Sequence, residues 1–162
     1  MRSFRFARAL LALPLLFAGC ATPGKQGESA GRVARFFLES GDGEGVPAIL
    51  PRSGVALRLN PKPVITESDV VGADVADVDL GRCVRFQLAP AAARDLYRLS
   101  VVHQGRRLVL QVDGVFLGAR RIDGAIADGR VFTFVEIPDD SLPLLVEDIK
   151  VGSAAARRKD SK

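Results

Sequence analysis

The residues that could do chemistry are few, and most are spaced wrongly for it. His103 is the only histidine, so a Ser–His–Asp relay or a histidine-based metal cluster cannot be assembled within one chain. Beside a glycine-marked helix end, its expected role is to meet the helix dipole or pack at the edge of the core. Asp74, Asp77 and Asp79 lie close together but lack the spacing and the closing Glu of a calcium loop, so a solvated strand face is expected. Asp113, Asp128 and Glu136 could serve a hydrolytic or carbohydrate-acting enzyme, yet Asp113 and Asp128 each precede a glycine and already have turn roles. Ser53, Ser100 and Ser141 lack the strand–turn–helix setting of a nucleophile elbow. Gly41, Gly43 and Gly45 flank acids, where a phosphate cradle would want a Lys and a following helix. No catalytic residue, cofactor or metal site is therefore assigned.

The two cysteines have different settings. Cys83 stands at the start of a strand with no partner inside the chain, and an inert buried thiol is expected there. Cys20 ends a segment in which Arg2, Arg5 and Arg8 precede the apolar run Leu10 to Phe17 and then Ala18-Gly19. A basic start, a short apolar core and small residues before a break describe a secretory signal. The apolar run falls short of the roughly 20 residues that span a bilayer. Phe17-Ala18-Gly19-Cys20 resembles the lipobox of bacterial lipoproteins, with Phe17 in place of the usual Leu. That resemblance implies lipidation at Cys20, removal of residues 1–19 and anchoring to a membrane. Ala21 in place of Asp implies the outer membrane, with the domain facing the periplasm.

Removing Arg2, Arg5 and Arg8 from the 23 basic residues leaves 20 against 19 acidic ones, a balance of +1. With no basic stripe interleaved with aromatic residues, nucleic acid is not an expected partner.

Residues 20–32 read as the lipid-bearing Cys and a flexible tether, 33–150 as one α+β domain, and 151–162 as a disordered polar tail. Within the domain, Val33 to Glu39 has strand composition, and Gly54 to Asn60 alternates until Pro61 and Pro63, which are expected to end it. Thr66 to Asp69 suggests a short helix stopped at Gly72, followed by a strand over 73–79. Cys83 to Leu88 places Val84, Phe86 and Leu88 inward. A helix opens at Pro90 with Ala92, Leu96, Leu99 and His103 on one face, and Gly105 ends it. Asp113-Gly114 between two alternating runs predicts a hairpin with a type I′ turn. A strand over 131–137 and a helix capped by Asp139 or Asp140 follow, the helix carrying Leu142, Leu145, Val146 and Ile149 as one stripe. The expected architecture is a single α+β domain, an antiparallel or mixed sheet with two main helices on one face.

Residues 64–149 resemble the head part of the first periplasmic domain of SecD, the membrane subunit that assists protein export. The resemblance rests on Ile65 to Val70, Val84 to Leu88, Gly105 to Val115, Gly118 to Ile122, Ile126 and Asp128-Gly129. The chain departs from that pattern at Ala89, where the family has Thr, at Arg120, where it has Pro, and at Phe132-Thr133-Phe134, which replaces a Gly. SecD also carries transmembrane helices that do proton-linked work, and none is read here. The resemblance thus implies the fold and a protein- or peptide-facing role outside the cytoplasm, not the export activity. The expected partner is an envelope protein or peptide, and the expected contacts are an open sheet edge and the hairpin at Asp113, Gly114, Val115 and Phe116. Phe116 falls on the face opposite Val115 and Leu117, where it is either exposed or packed.

Overall fold

The computed structural model describes residues 31–162. Cys20, the signal-like segment and most of the tether lie outside the described residues. Eight strands and two helices form one α+β domain, as expected. The strands are β1 (Ala34–Glu39), β2 (Val46–Ile49), β3 (Ala56–Ile65), β4 (Val70–Val78), β5 (Gly81–Leu88), β6 (Arg107–Val112), β7 (Val115–Arg121) and β8 (Arg130–Thr133). The helices are α1 (Pro90–Val102) and α2 (Leu142–Asp160). The strands form two sheets rather than one, ordered β2-β3-β1-β6-β7 and β4-β5-β8. Every paired neighbour is antiparallel.

Alternation sets the main core. Ala34, Phe36 and Leu38 of β1 and Leu108, Leu110 and Val112 of β6 point to the same side. They meet Val84, Phe86 and Leu88 of β5, Leu96 of α1, and Leu142, Leu145, Val146 and Ile149 of α2. Phe36 and Phe86 join the two sheets edge to face, with centroids 5.0 Å apart and planes at 89°.

A second core lies on the other face of the five-stranded sheet. Ala48, Leu50, Leu57, Leu59 and Val109 are buried there, with Phe37, Phe116 and Ala119 packed against them. No helix is needed to cover it, because the sheet curls. Its opposite ends are tied through Glu136, which follows β8 and lies beside β7. The Glu136 carboxylate accepts hydrogen bonds from the Arg52 N–H at 2.7 Å, the Ser53 N–H at 2.9 Å and the Ser53 hydroxyl at 2.5 Å, all in the β2–β3 turn. The Glu136 N–H donates to the Leu117 carbonyl of β7 at 2.7 Å.

Several local expectations are corrected. Pro61 and Pro63 do not end β3. Beyond Leu59 the strand loses β2 as a partner and pairs only with β1, so each proline can face the unpaired side or a bulge. The pairing is irregular there: Glu39 to Phe36 is three steps on β1, whereas the matching Leu59 to Ile65 is six on β3. The odd excess turns Ile65 into the main core while Leu57 and Leu59 face the second. Thr66 opens a turn, not a helix. Its N–H and hydroxyl both donate to Asp69, at 2.8 and 2.7 Å, and β4 starts at once at Val70. The strand over 131–137 stops at Thr133. Asp139 and Asp140 sit in a turn of 3-10 helix, and Ser141 precedes α2 without a side-chain cap.

The tail expected to be disordered is the last part of α2, which runs to Asp160. Gly152 falls within that expected tail, and in the fold it is a point of close approach. A Cβ on Gly152 would lie 2.1 Å from the Arg32 carbonyl oxygen. The helix is held there by Arg32, whose N–H donates to the Asp148 carbonyl at 2.9 Å and whose Nε donates to the Asp148 carboxylate at 3.1 Å. The last residues assigned to the tether, Gly31 and Arg32, therefore belong to the packed domain.

Candidate interaction surface

The hairpin adopts the predicted turn, with Asp113 at φ 48° and Gly114 at φ 85°. Its acid is also a fastener. Asp113 Oδ1 accepts from the Val33 N–H at 2.9 Å, and the Asp113 N–H donates to the Val33 carbonyl at 3.0 Å, fixing the entry to β1. Asp113, Gly114 and Val115 are exposed at the tip. Phe116 is half-buried and packs edge-on to Phe37, centroids 6.1 Å apart, within the second core. A one-residue irregularity between Leu110 and Gln111 in the β6–β7 register keeps Phe116 on that face while Leu117 enters the main core. The hairpin therefore offers an outside partner a polar tip and Val115.

Four strands lie at sheet edges, and two are blunted. β2 is four residues long with a proline in it. β4 lies under α2, and the Arg157 guanidinium donates to the Val70 carbonyl at its start. β7 and β8 lie side by side without pairing as strands, and an isolated bridge between Gly118 and Val135 joins β7 to the residues just after β8. Gly118 is required there, because a Cβ would sit 2.1 Å from the Phe134 carbonyl oxygen.

No further strand pairing joins the two edges among the described residues. The loop between them is held to α1 by Ser100, a buried hydroxyl that donates to the Tyr97 carbonyl and accepts from the Ile126 N–H, both at 2.8 Å. The opening is a cleft of about 490 Å³ lined by Val78, Leu80, Arg120, Phe132 and Phe134, among others. Leu80, at the tip of the β4–β5 hairpin, is 85% exposed, and Phe134 is 40% exposed. Arg120 crosses the cleft: its guanidinium lies 5.8 Å from the centre of the Phe132 ring and donates to the Phe132 carbonyl at 3.4 Å. The sequence departs from the SecD pattern at Arg120 and at Phe132 to Phe134. Those departures are the one signal in the sequence that bears on this cleft.

The acids considered for catalysis are all engaged with backbone. Asp128 accepts from the Arg130 N–H at 3.0 Å, and Asp113 and Glu136 hold Val33 and the 52–53 turn. Burial alone would raise the Glu136 carboxyl, but the hydrogen bonds from Ser53 and Arg52 outweigh it and hold that group below the usual carboxylate range. A general acid would need the opposite shift. Asp74 pairs with Arg85 and Asp77 with Arg82 across β4 and β5. Cys83 is fully buried, and that burial pushes its thiol up, away from the reactive thiolate. His103 is the residue that closes α1, its N–H donating to the Leu99 carbonyl at 3.0 Å.

Two antiparallel sheets over a shared core, with two helices, define a single α+β domain. Solved structures of SecDF have this fold. A structure of the membrane component SecDF that enhances protein export matches with a TM-score of 0.60 and 18% identity, over 76% of this chain and 64% of that one. SecDF in its Super-membrane-facing form matches at 0.62 and 18% identity, over 76% of this chain and 19% of that one. SecDF from Thermus thermophilus, a translocon-associated membrane protein, matches at 0.50 and 19% identity, over 75% and 20%. This chain thus spans less than two thirds of the first of these proteins and about a fifth of the other two. The expected likeness to SecD holds as a likeness of fold and reaches beyond the half of the chain in which the sequence resemblance lay. No family model matches the sequence, and no curated protein does.

Proposed function

We propose that this chain is a lipid-anchored, non-catalytic binding module of the bacterial envelope, facing the periplasm from the outer membrane, that takes up an extended segment of an exported or envelope protein in the cleft between β7 and β8. The observation that carries the reading is the pair of edge strands left unpaired with each other, with exposed Leu80 and Phe134 lining the cleft beside them. An inserted strand gains main-chain hydrogen bonds from either edge, and the apolar side chains select what enters. The exposed hairpin tip at Asp113, Gly114 and Val115 is a second contact. The signal-like segment ending at Cys20 supports the anchor, and the SecDF fold supports a protein partner.

The test uses photo-crosslinking residues placed in the full chain in cells. Probes at Leu80 and Phe134 trap a discrete protein, a probe at Val115 traps it more weakly, and one at the exposed Glu147 of α2 does not. Mass spectrometry of the membrane fraction finds Cys20 as an acylated N-terminus. Equal trapping at Glu147, or turnover of a polysaccharide or peptide that Asp113→Asn or Glu136→Gln abolishes, replaces this reading.

A further inference from the structure

The end of α2 lies where the chain enters the domain. Gly31, the first described residue, packs against Gly152, and Gly31, Val33, Ala155, Ala156 and Lys159 line one groove. Just beyond, Arg157, Arg158, Lys159 and Lys162 stand against the single acid Asp160, and Arg158, Lys159 and Lys162 are exposed. None of these three basic side chains has a carboxylate partner within ion-pair distance among the described residues. A favourable meeting with the helix dipole accounts for basic residues in the last turn. It does not account for their lying at the point of chain entry.

The cleft is at the other end of the sheet. The Arg157 guanidinium is fastened to the carbonyl of Val70, the first residue of β4, whereas Val78 closes β4 and Leu80 follows it. At roughly 3.3 Å per residue, β4 sets the basic end and the cleft about 26 Å apart. The domain therefore has two poles, one basic and next to the tether, the other apolar and open.

We propose that the basic pole of α2, Arg158, Lys159 and Lys162, rests on anionic phospholipid headgroups and so holds the cleft facing away from the membrane. This rests on the anchored reading above, since the tether is what brings the pole to a lipid surface. Each exposed cation near an anionic leaflet adds to the attraction, and the lipid chain keeps the local concentration high. The pole supplies direction that a lipid anchor by itself does not.

The test uses the full protein, purified from membranes and reconstituted in vesicles of phosphatidylglycerol and phosphatidylethanolamine. A fluorophore is attached at Ser161→Cys or at Leu80→Cys, Cys83 being buried, and a quencher is carried on the lipid headgroups. The Ser161 label is quenched and the Leu80 label is not. The variant R158E/K159E/K162E, or replacement of the anionic lipid by phosphatidylcholine, lowers quenching at Ser161 by about twofold or more. Equal quenching at both positions, or quenching at Ser161 indifferent to both changes, overturns the proposal. The mass of the Cys20 peptide is read on the same sample, so a missing anchor is told apart from a pole that does not bind.

Discussion

Removing the Glu136 carboxylate should uncurl the five-stranded sheet. In the wild type this one side chain accepts from the Arg52 N–H, the Ser53 N–H and the Ser53 hydroxyl, joining segments more than 80 residues apart. A hydrogen bond to a charged group contributes about 1.5–3 kcal/mol. These three lie at the surface, where water can replace the lost acceptor and screening weakens the charge. The sum for Glu136→Ala is therefore nearer about 2 kcal/mol than the arithmetic total. At a slope of about 1–3 kcal/mol per molar urea, that lowers the unfolding midpoint by about 1 M. Glu136→Gln keeps an amide oxygen as acceptor and loses the charge, so its midpoint falls between the two. The pH dependence follows from the same contacts. The folded carboxyl titrates below its unfolded value of about 4.3, so its stabilisation is complete above that value and lost as pH falls through the lower folded one. Urea melts followed by circular dichroism, from neutral pH down to pH 3, should show wild type and Glu136→Gln converging at the acid end. Equal midpoints for all three proteins at neutral pH would refute the idea that Glu136 closes the sheet.

Leu96→Ala should cost about 2–5 kcal/mol, the range for a buried leucine truncation, because Leu96 is 3% exposed and lies in the main core; a denaturant melt measures it. Gly152→Ala should destabilise although alanine is the better helix former by about 1 kcal/mol. The new methyl would lie 2.1 Å from the Arg32 carbonyl, so a higher melting temperature for the variant would contradict the packing of Arg32 on α2. Cys83 should be inert to a thiol reagent in the native protein and react at once in denaturant, since it is fully buried and its thiolate is disfavoured.

What the sequence made legible was local. Asp113-Gly114 carries its own turn geometry, and the spacing of Leu142, Leu145, Val146 and Ile149 writes a helix face, so both appear where expected. Val84, Phe86 and Leu88 alternate inward for the same reason. The second core was not legible. It needs β2 brought round to β7, and the acid that does this, Glu136, stands 83 residues from Ser53 and had been weighed only as a catalyst. Phe116 leaves the face of Leu117, as its alternation implies, and the face it joins is a second core, which alternation alone cannot distinguish from solvent.

The readings that failed share a cause. Pro61 and Pro63 read locally as a strand's end, and the stretch from Gly152 onward as a polar tail. Each reading assigns a residue its usual local meaning. In the fold each of these places is set by a second segment of backbone. β1 accepts the prolines across an irregular register, Arg32 presses on Gly152, and the Phe134 carbonyl comes up to Gly118. Two of those approaches also shape the surfaces proposed to act. The contact at Gly118 joins β7 to the residues just after β8, at the side of the cleft lined by Phe132 and Phe134. The contact at Gly152 lets α2 run on past the point where the chain enters, which carries the basic residues to the tether. A glycine that looks like punctuation is, at both places, the condition for one backbone to reach another, and the open surface is what lies just past the contact.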